Sequence, residues 1–307
     1  MKRTSYMTGG LVATALAGVL SVSTLAPVSA AKAPQRTAGN FTVSSFNVLG
    51  ASHTPAGGRR ASGATRIVWA NQLLQRHHVD VAGFQEMQGS QLTKFLRITK
   101  GGWAVYPGLQ LKKMDSENSI GWRTAKFSLV HATTVKIPYF NGIPRAMPLV
   151  LLREKRSGML TYFSNFHNPG ETKKYRNQGR WRAEATRVEI ALQNQLVKTG
   201  IPRIMTGDMN ERAPYFCRVT ASTLIKAARP TSIRRGSACY ANKPRSVDWI
   251  FGSRWLAFSK YVEDRSPLVD KTTDHPVIVS HVTVSPKNMP WGWQKGRPAA
   301  IVPRVSY

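Results

Sequence analysis

Cysteine is almost missing from this chain, which holds two among its 307 residues. With no Cys/His tetrad and no His-Glu-x-x-His run, the familiar zinc frameworks are excluded. No Gly-rich turn joins a strand to a helix, so a nucleotide cradle is absent as well. Beyond the first thirty residues no apolar run approaches the ~20 residues needed to span a bilayer, so no transmembrane segment is expected. Repeats are also lacking, and nothing marks a second hydrophobic core. One domain over about 41–285 is the economical count. Acidic residues are scarce: 15 Asp and Glu face 44 Lys and Arg, a formal charge of +29. That surplus selects polyanionic partners such as nucleic acid, phosphorylated polymers, anionic cell wall or lipid head groups, although it does not select a reaction.

The long apolar run that does exist lies at the start. Lys2 and Arg3 precede an Ala-, Gly- and Ser-rich stretch from Leu11 to Val28, and Val28-Ser29-Ala30 offers a small-x-small cleavage site. Residues 1–30 therefore read as a signal peptide, and the mature protein is expected to be secreted, soluble and monomeric. In an oxidising compartment Cys217 and Cys239 read as a disulfide rather than two free thiols. Closing that loop stabilises a chain by about 3 kcal/mol on the chain-entropy model. Residues 31–40 are a polar linker, and 286–307 form a Pro- and Trp-rich basic tail whose Trp291 and Trp293 could stack on bases.

Between these ends, strands and helices alternate and then strands accumulate. Phe41–Val48 is a strand, a helix runs from Thr65 on the stripe Ile67, Ala70, Leu73 and Leu74, and Val79–Phe84 is a second strand. A helix at Gln91–Thr99 leads to strands at 103–107, 119–123, 127–137, 147–153 and 159–166. Val188, Ala191, Leu192 and Leu196 mark a third helix, followed by strands at 201–207, Pro244–Phe251 and Val277–Ser280. This order indicates a mixed α/β layered fold.

The residues with chemistry sit at the strand ends. Asn47, Glu86, His167, Asp208, Asn210, Asp248, Asp274 and His275 all stand where a strand starts or stops. Taken singly, each has a plain explanation. Gly207-Asp208-Met209-Asn210 is as readily an Asx turn as a site, Glu86 can be a solvated loop charge, and His167 can be a turn residue. Taken together they supply oxygen ligands for a hard divalent cation, two imidazoles, and an amide for a phosphoryl oxygen. The loop Lys173–Arg182, with Arg176 and Arg180 among aromatics, suits a phosphate backbone or is merely a solvated basic loop.

Phe46-Asn47-Val48-Leu49, Phe84-Gln85-Glu86, Asn165-Phe166-His167, Gly207-Asp208-Met209-Asn210, Ser246-Val247-Asp248 and Thr273-Asp274-His275-Pro276 resemble, in order and spacing, the motifs of the endonuclease/exonuclease/phosphatase superfamily. The resemblance covers about 41–284 and is specific for the superfamily, not for a substrate. It implies a four-layer αββα sandwich, two mixed sheets flanked by helices, and a metal-dependent phosphoester hydrolase using Mg2+, with Mn2+ as the alternative. Carried over by position, it implies that Glu86 holds the metal with Asn47 and Asp274. Asp208 orients or deprotonates water, and Asn210 binds a phosphoryl oxygen. His275, paired with Asp248, and His167 stabilise the developing charge. Glu117–Trp122 resembles the site-lining strand, which implies a substrate-binding role for Asn118. The expected substrate is nucleic acid. The alternatives are a phospholipid head group met through an apolar hairpin at 138–148, a phosphomonoester, or a non-catalytic role in binding polyanions.

Overall fold

A computed structural model describes residues 37–54, 60–111, 115–241 and 245–288; the expected signal peptide, most of the expected linker and nearly all of the tail lie outside the described residues. The strands are β1 (Gly39–Asn47), β2 (Val81–Gln85), β3 (Trp103–Tyr106), β4 (Ser119–Arg123), β5 (Phe127–Pro138), β6 (Pro144–Glu154) and β7 (Leu160–His167). They continue with β8 (Arg203–Asp208), β9 (Ile225–Ala227), β10 (Ser232–Arg235), β11 (Ala238–Ala241), β12 (Asp248–Ser253), β13 (Ala257–Asp264) and β14 (Val277–Val284). The helices are α1 (Gly63–Arg76), α2 (Gly89–Thr99), α3 (Gly179–Val197), α4 (Ala213–Ser222) and α5 (Pro267–Thr272). No described helix is long and apolar enough to cross a membrane.

Two six-stranded mixed sheets stand face to face, in the orders β13-β14-β1-β2-β4-β3 and β5-β6-β7-β8-β12-β9. Flanking helices complete the αββα sandwich that the motif order implied. Each sheet has one parallel step, β1 with β2 and β7 with β8, each bridged by a crossover helix. Phe41, Phe127 and Phe163 interlock between the sheets, with ring centroids 5.4 to 6.1 Å apart. A second apolar layer packs α1 and α2 on the outer face of the first sheet, through Ile67, Leu73, Leu74, Phe84, Phe95 and Trp103.

Local chemistry sets the element ends. Ser62 caps α1 by accepting from the Thr65 amide at 3.2 Å. The linker ends sooner than its composition suggests, because Gly39 and Asn40 already pair with Val284 and Thr283. Four strands and two helices carry weak local signals. β9, β10 and β11 have three or four residues each. The edge strand β13 is mostly exposed and broken by a bulge between Ser259 and Val262. The helices α4 and α5 are short and open with proline.

Near one end the sheets are stitched by polar groups. The Asn165 amide on β7 donates to the Phe84 carbonyl at 2.8 Å, while its oxygen accepts from Gln85 at 2.6 Å and Thr206 at 3.0 Å. This buried network lies just below the rim that carries the candidate residues.

Candidate active site

Strand register brings the strand-end residues to one rim. On the second sheet His167 pairs with Asp208, and Asp208 pairs with Asp248, so three neighbouring strands present these groups side by side. On the first sheet Asn47 pairs with Gln85, which places Asn47 beside Glu86. The α5–β14 turn adds His275, and Thr273 anchors that turn by donating to the Asn47 carbonyl at 2.7 Å.

The closest group is Asp208, Asp248 and His275, whose ligand atoms all lie within 4.8 Å of one another. His275 Nδ1 lies 3.0 Å from Asp248 Oδ2, and its Nε2 lies 3.6 Å from Asp208 Oδ2. His167 Nε2 is 3.5 Å from the same Asp208 oxygen. Burial alone would lower the His275 pKa, but the Asp248 and Asp208 carboxylates outweigh it and raise the group to about 11. Burial in turn pushes Asp248 up, while Ser246 donates to it at 2.6 Å and accepts from its amide at 2.8 Å.

Glu86 is ionised against its surroundings. Burial opposes its charge, yet His53, the His167 imidazole, the Gly50 amide and the Asn47 amide together hold its carboxyl well below the usual range. His53 Nδ1 lies 2.8 Å and the Gly50 amide 2.9 Å from Oε2, and Asn47 donates to Oε1 at 3.0 Å. Both Glu86 (φ 61°) and Asn210 (φ 49°) occupy the left-handed region. Asn tolerates that geometry, whereas for Glu it is a strain of about 1 kcal/mol or more, kept where a carboxylate must be aimed.

Both meanings of Gly207-Asp208-Met209-Asn210 coexist. Asp208 Oδ1 accepts the Asn210 amide at 3.0 Å in an Asx turn, and that turn swings the Asn210 side chain to donate to the Asn168 carbonyl at 2.8 Å. Asn118 is fully buried, with neither side-chain amide atom satisfied by a protein partner. It immediately precedes β4, and the Glu117 carbonyl before it accepts from the Met87 amide at 2.8 Å, which brings it alongside Glu86. Asp274, by contrast, is exposed and outside the closest group. Arg176 is exposed in the loop after β7, whereas Arg180, expected in the same loop, is exposed in the first turn of α3.

Three contributors carry no local sequence signal. His53 reaches Glu86 from a Gly- and Pro-rich loop. Arg66, buried in α1, donates to the carbonyls of Val48, Leu49 and Gly50 and to that of Thr272, and so fixes the loops on both sides of the rim. Tyr139 places its hydroxyl 3.4 Å from His167 Nδ1, beneath an Arg145 guanidinium 4.1 Å from its ring centroid. Arg145 in turn pairs with Glu117 at 3.5 Å.

The donor set suits a hard divalent cation: carboxylate oxygens, an amide oxygen and imidazole, with no thiolate, since both cysteines form the Cys217–Cys239 disulfide. Glu86, kept ionised in a mostly buried position, and the orphaned Asn118 amide are the features such an ion would satisfy.

This sandwich and rim define a phosphoester hydrolase. The chain matches the Endonuclease/Exonuclease/phosphatase family over residues 44–275 and belongs to it, and with it to the metal-dependent phosphoesterases. No curated protein sequence matches. Among solved structures, an endonuclease/exonuclease/phosphatase family protein from Bacteroides thetaiotaomicron is 18% identical, with a TM-score of 0.64 covering 81% of this chain and 99% of its own. The human Nocturnin catalytic domain with bound sulfate is 16% identical, with a TM-score of 0.64 and coverage of 80% and 95%. D. rerio TDP2 complexed with a single-strand DNA product is 15% identical, with a TM-score of 0.58 and coverage of 79% and 98%. These likenesses are of fold.

Proposed function

We propose that the protein is a secreted, Mg2+-dependent phosphodiesterase acting on nucleic acid. The observation that carries this reading is the convergence of Glu86 and His275, at strand ends of the first sheet, with Asp208 and Asp248 of the second, in a chain with a formal charge of +29. Glu86 would hold the cation with help from Asn47 and Asp274, Asn118 lying close by. Once bound, the cation would polarise the phosphate and lower the pKa of water.

The chain's own residues then have separable tasks. Asp208, accepting the Asn210 amide through Oδ1, keeps Oδ2 turned to the two imidazoles and can orient a water for attack on phosphorus. His275 is a cation fixed by Asp248, so it donates to a phosphoryl oxygen and stabilises charge in the transition state rather than accepting a proton. His167 does the same from the other side, held beneath Tyr139. Asn210 presents its amide to a phosphoryl oxygen.

Nucleic acid is favoured by the surface beside His167. Phe140 and Tyr175 stack at 4.3 Å with their rings 6° from parallel, flanked by the exposed cations Lys173, Lys174, Arg176 and Arg180. Stacked aromatics among cations fit bases and phosphates along a single strand. The same geometry weakens the lipid alternative. In the 138–148 segment Tyr139 and Met147 are buried and Phe140 is half-buried, so of the apolar side chains expected in a membrane hairpin only Ile143 is exposed. Export is supported by the leader-like first thirty residues and by the disulfide.

A substrate panel tests the proposal: DNA, RNA, a phosphomonoester and sphingomyelin vesicles, each with Mg2+, Mn2+ or EDTA. Cleavage of DNA or RNA that stops in EDTA and falls steeply with added salt is expected. Turnover of the vesicles or the monoester alone would overturn the choice of substrate.

A further inference from the structure

At the edge of the second sheet a cleft of about 540 Å³ opens between α4, β9 and the β10–β11 hairpin. Its lining includes four cations, Lys226, Arg229, Arg234 and Arg254, and no acidic residue. Ile225, Pro230 and Ile233 supply an apolar wall, with Ile233 41% exposed. None of these residues belongs to the rim described above.

Two lining groups are buried and unpaired. Arg229 and Ser232 are each 6% exposed, yet Arg229 Nη1 and Ser232 Oγ have no protein partner. The rest of the Arg229 guanidinium is committed. Its Nε donates to the Tyr261 hydroxyl at 3.2 Å, its Nη2 donates to Glu263 at 3.1 Å, and its plane lies 4.7 Å from the Trp249 ring centroid. The fork is therefore held rigid with one nitrogen, Nη1, left over. Arg234 donates only to neutral oxygens, those of Cys217, Gly236, Ser237 and Thr220, so no carboxylate cancels its charge. The Cys217–Cys239 disulfide clamps the hairpin to α4 behind it.

Leaving a buried donor unsatisfied is costly, and an oxyanion would satisfy Nη1 and Oγ together while compensating the surplus charge. The volume exceeds what a bare inorganic anion fills and falls in the range of sites for small organic molecules. We propose that this cleft is a second, non-catalytic binding site for a phosphorylated organic anion of mononucleotide size. Its phosphate is held by Arg229 and Ser232 with Lys226 and Arg254 at the mouth, and its ring lies against Ile233 and Pro230.

Calorimetric titration of the purified protein in EDTA with AMP, inorganic phosphate and adenosine tests this. AMP should bind with one-to-one stoichiometry, phosphate at least tenfold more weakly, and adenosine not measurably. The paired substitution Lys226→Gln/Arg254→Gln, at exposed positions that leave the core intact, should weaken AMP binding at least tenfold, and Ser232→Val should weaken it as well. His275→Ala, which alters the rim, should leave AMP affinity unchanged. Absence of AMP binding, equal binding of phosphate, many weak sites, or loss of binding in His275→Ala with none in the cleft variants would each overturn the proposal. The outcome is independent of whether the protein cleaves phosphodiesters.

Discussion

The Asn47 side-chain amide donates to Glu86 Oε1 at 3.0 Å and to Asp208 Oδ2 at 3.1 Å, joining one carboxylate from each sheet through a single nitrogen. Two carboxylates brought together in a buried place repel, and a shared donor offsets that repulsion. Asn47→Ala should therefore cost about 1–3 kcal/mol of stability in the metal-free protein and at least tenfold in kcat/KM. Denaturant titration and steady-state kinetics on the same preparation check both. A variant unchanged in both would show that the amide does not govern the placement of the two acids.

His275 should hold its proton well into the alkaline range in metal-free protein. Its raised pKa of about 11 comes from Asp248 and Asp208 outweighing burial. A raised imidazole contributes stability that is fully present below its ordinary value of 6.5 and fades as pH climbs through the folded value. NMR titration of the His275 ring in EDTA should show no change across neutral pH. Asp248→Asn should pull the transition down towards the ordinary value.

Glu189 is also held protonated, but by burial rather than by partner charges. It is fully buried on α3, accepts from Tyr215 at 2.5 Å, and burial pushes its carboxyl up to about 8 from 4.5. The folded protein thus keeps a proton that the unfolded chain loses, and stability should decline as pH rises from about 4.5 to about 8. In Glu189→Gln that decline should flatten. Melting temperatures of both proteins across this window decide it, and parallel curves would refute the assignment.

Gly83 on β2 faces the second sheet with no room for a side chain. A Cβ there would collide with Thr206 Oγ1 and with the Asn165 amide, both part of the polar stitch under the rim. Gly83→Ala should destabilise by about 1–3 kcal/mol and lower activity, because Asn165 leads directly into His167. A stable, fully active alanine variant would mean that the sheets can separate without disturbing the site.

The rim was legible in the sequence because its residues sit at strand ends, where an apolar run breaks off in Gln85-Glu86, Gly207-Asp208 or Asp274-His275. Position relative to a strand is a local property, so Asn47, Glu86, His167, Asp208 and Asp248 could be noted as strand-end candidates by pattern, while their roles rested on the ordered motifs of the family. The supporting groups are different. Arg66 reaches the Thr272 carbonyl 206 positions away, and Tyr139 meets His167 across 28. No periodicity encodes such pairings, and a buried arginine on a helix looks like a solvated one until the loops around it are placed. Apart from β12, the region from Ala213 to Asp264 was blurred for another reason: its strands are short, at edges or bulged, and so lack the alternation that marks a half-buried strand.

The central claim is that phosphodiester cleavage takes place at the rim where Glu86, Asp208, Asp248 and His275 converge. The most direct measurement is the rate of single-stranded DNA cleavage in Mg2+ by the wild type and by His275→Ala, with matched far-ultraviolet circular dichroism to confirm folding. The account predicts cleavage by the wild type that EDTA abolishes, and a loss of at least a hundredfold in the variant with its fold intact. A wild type inert towards DNA, RNA and a simple phosphodiester in both Mg2+ and Mn2+, or a His275→Ala protein as fast as the wild type, would contradict it.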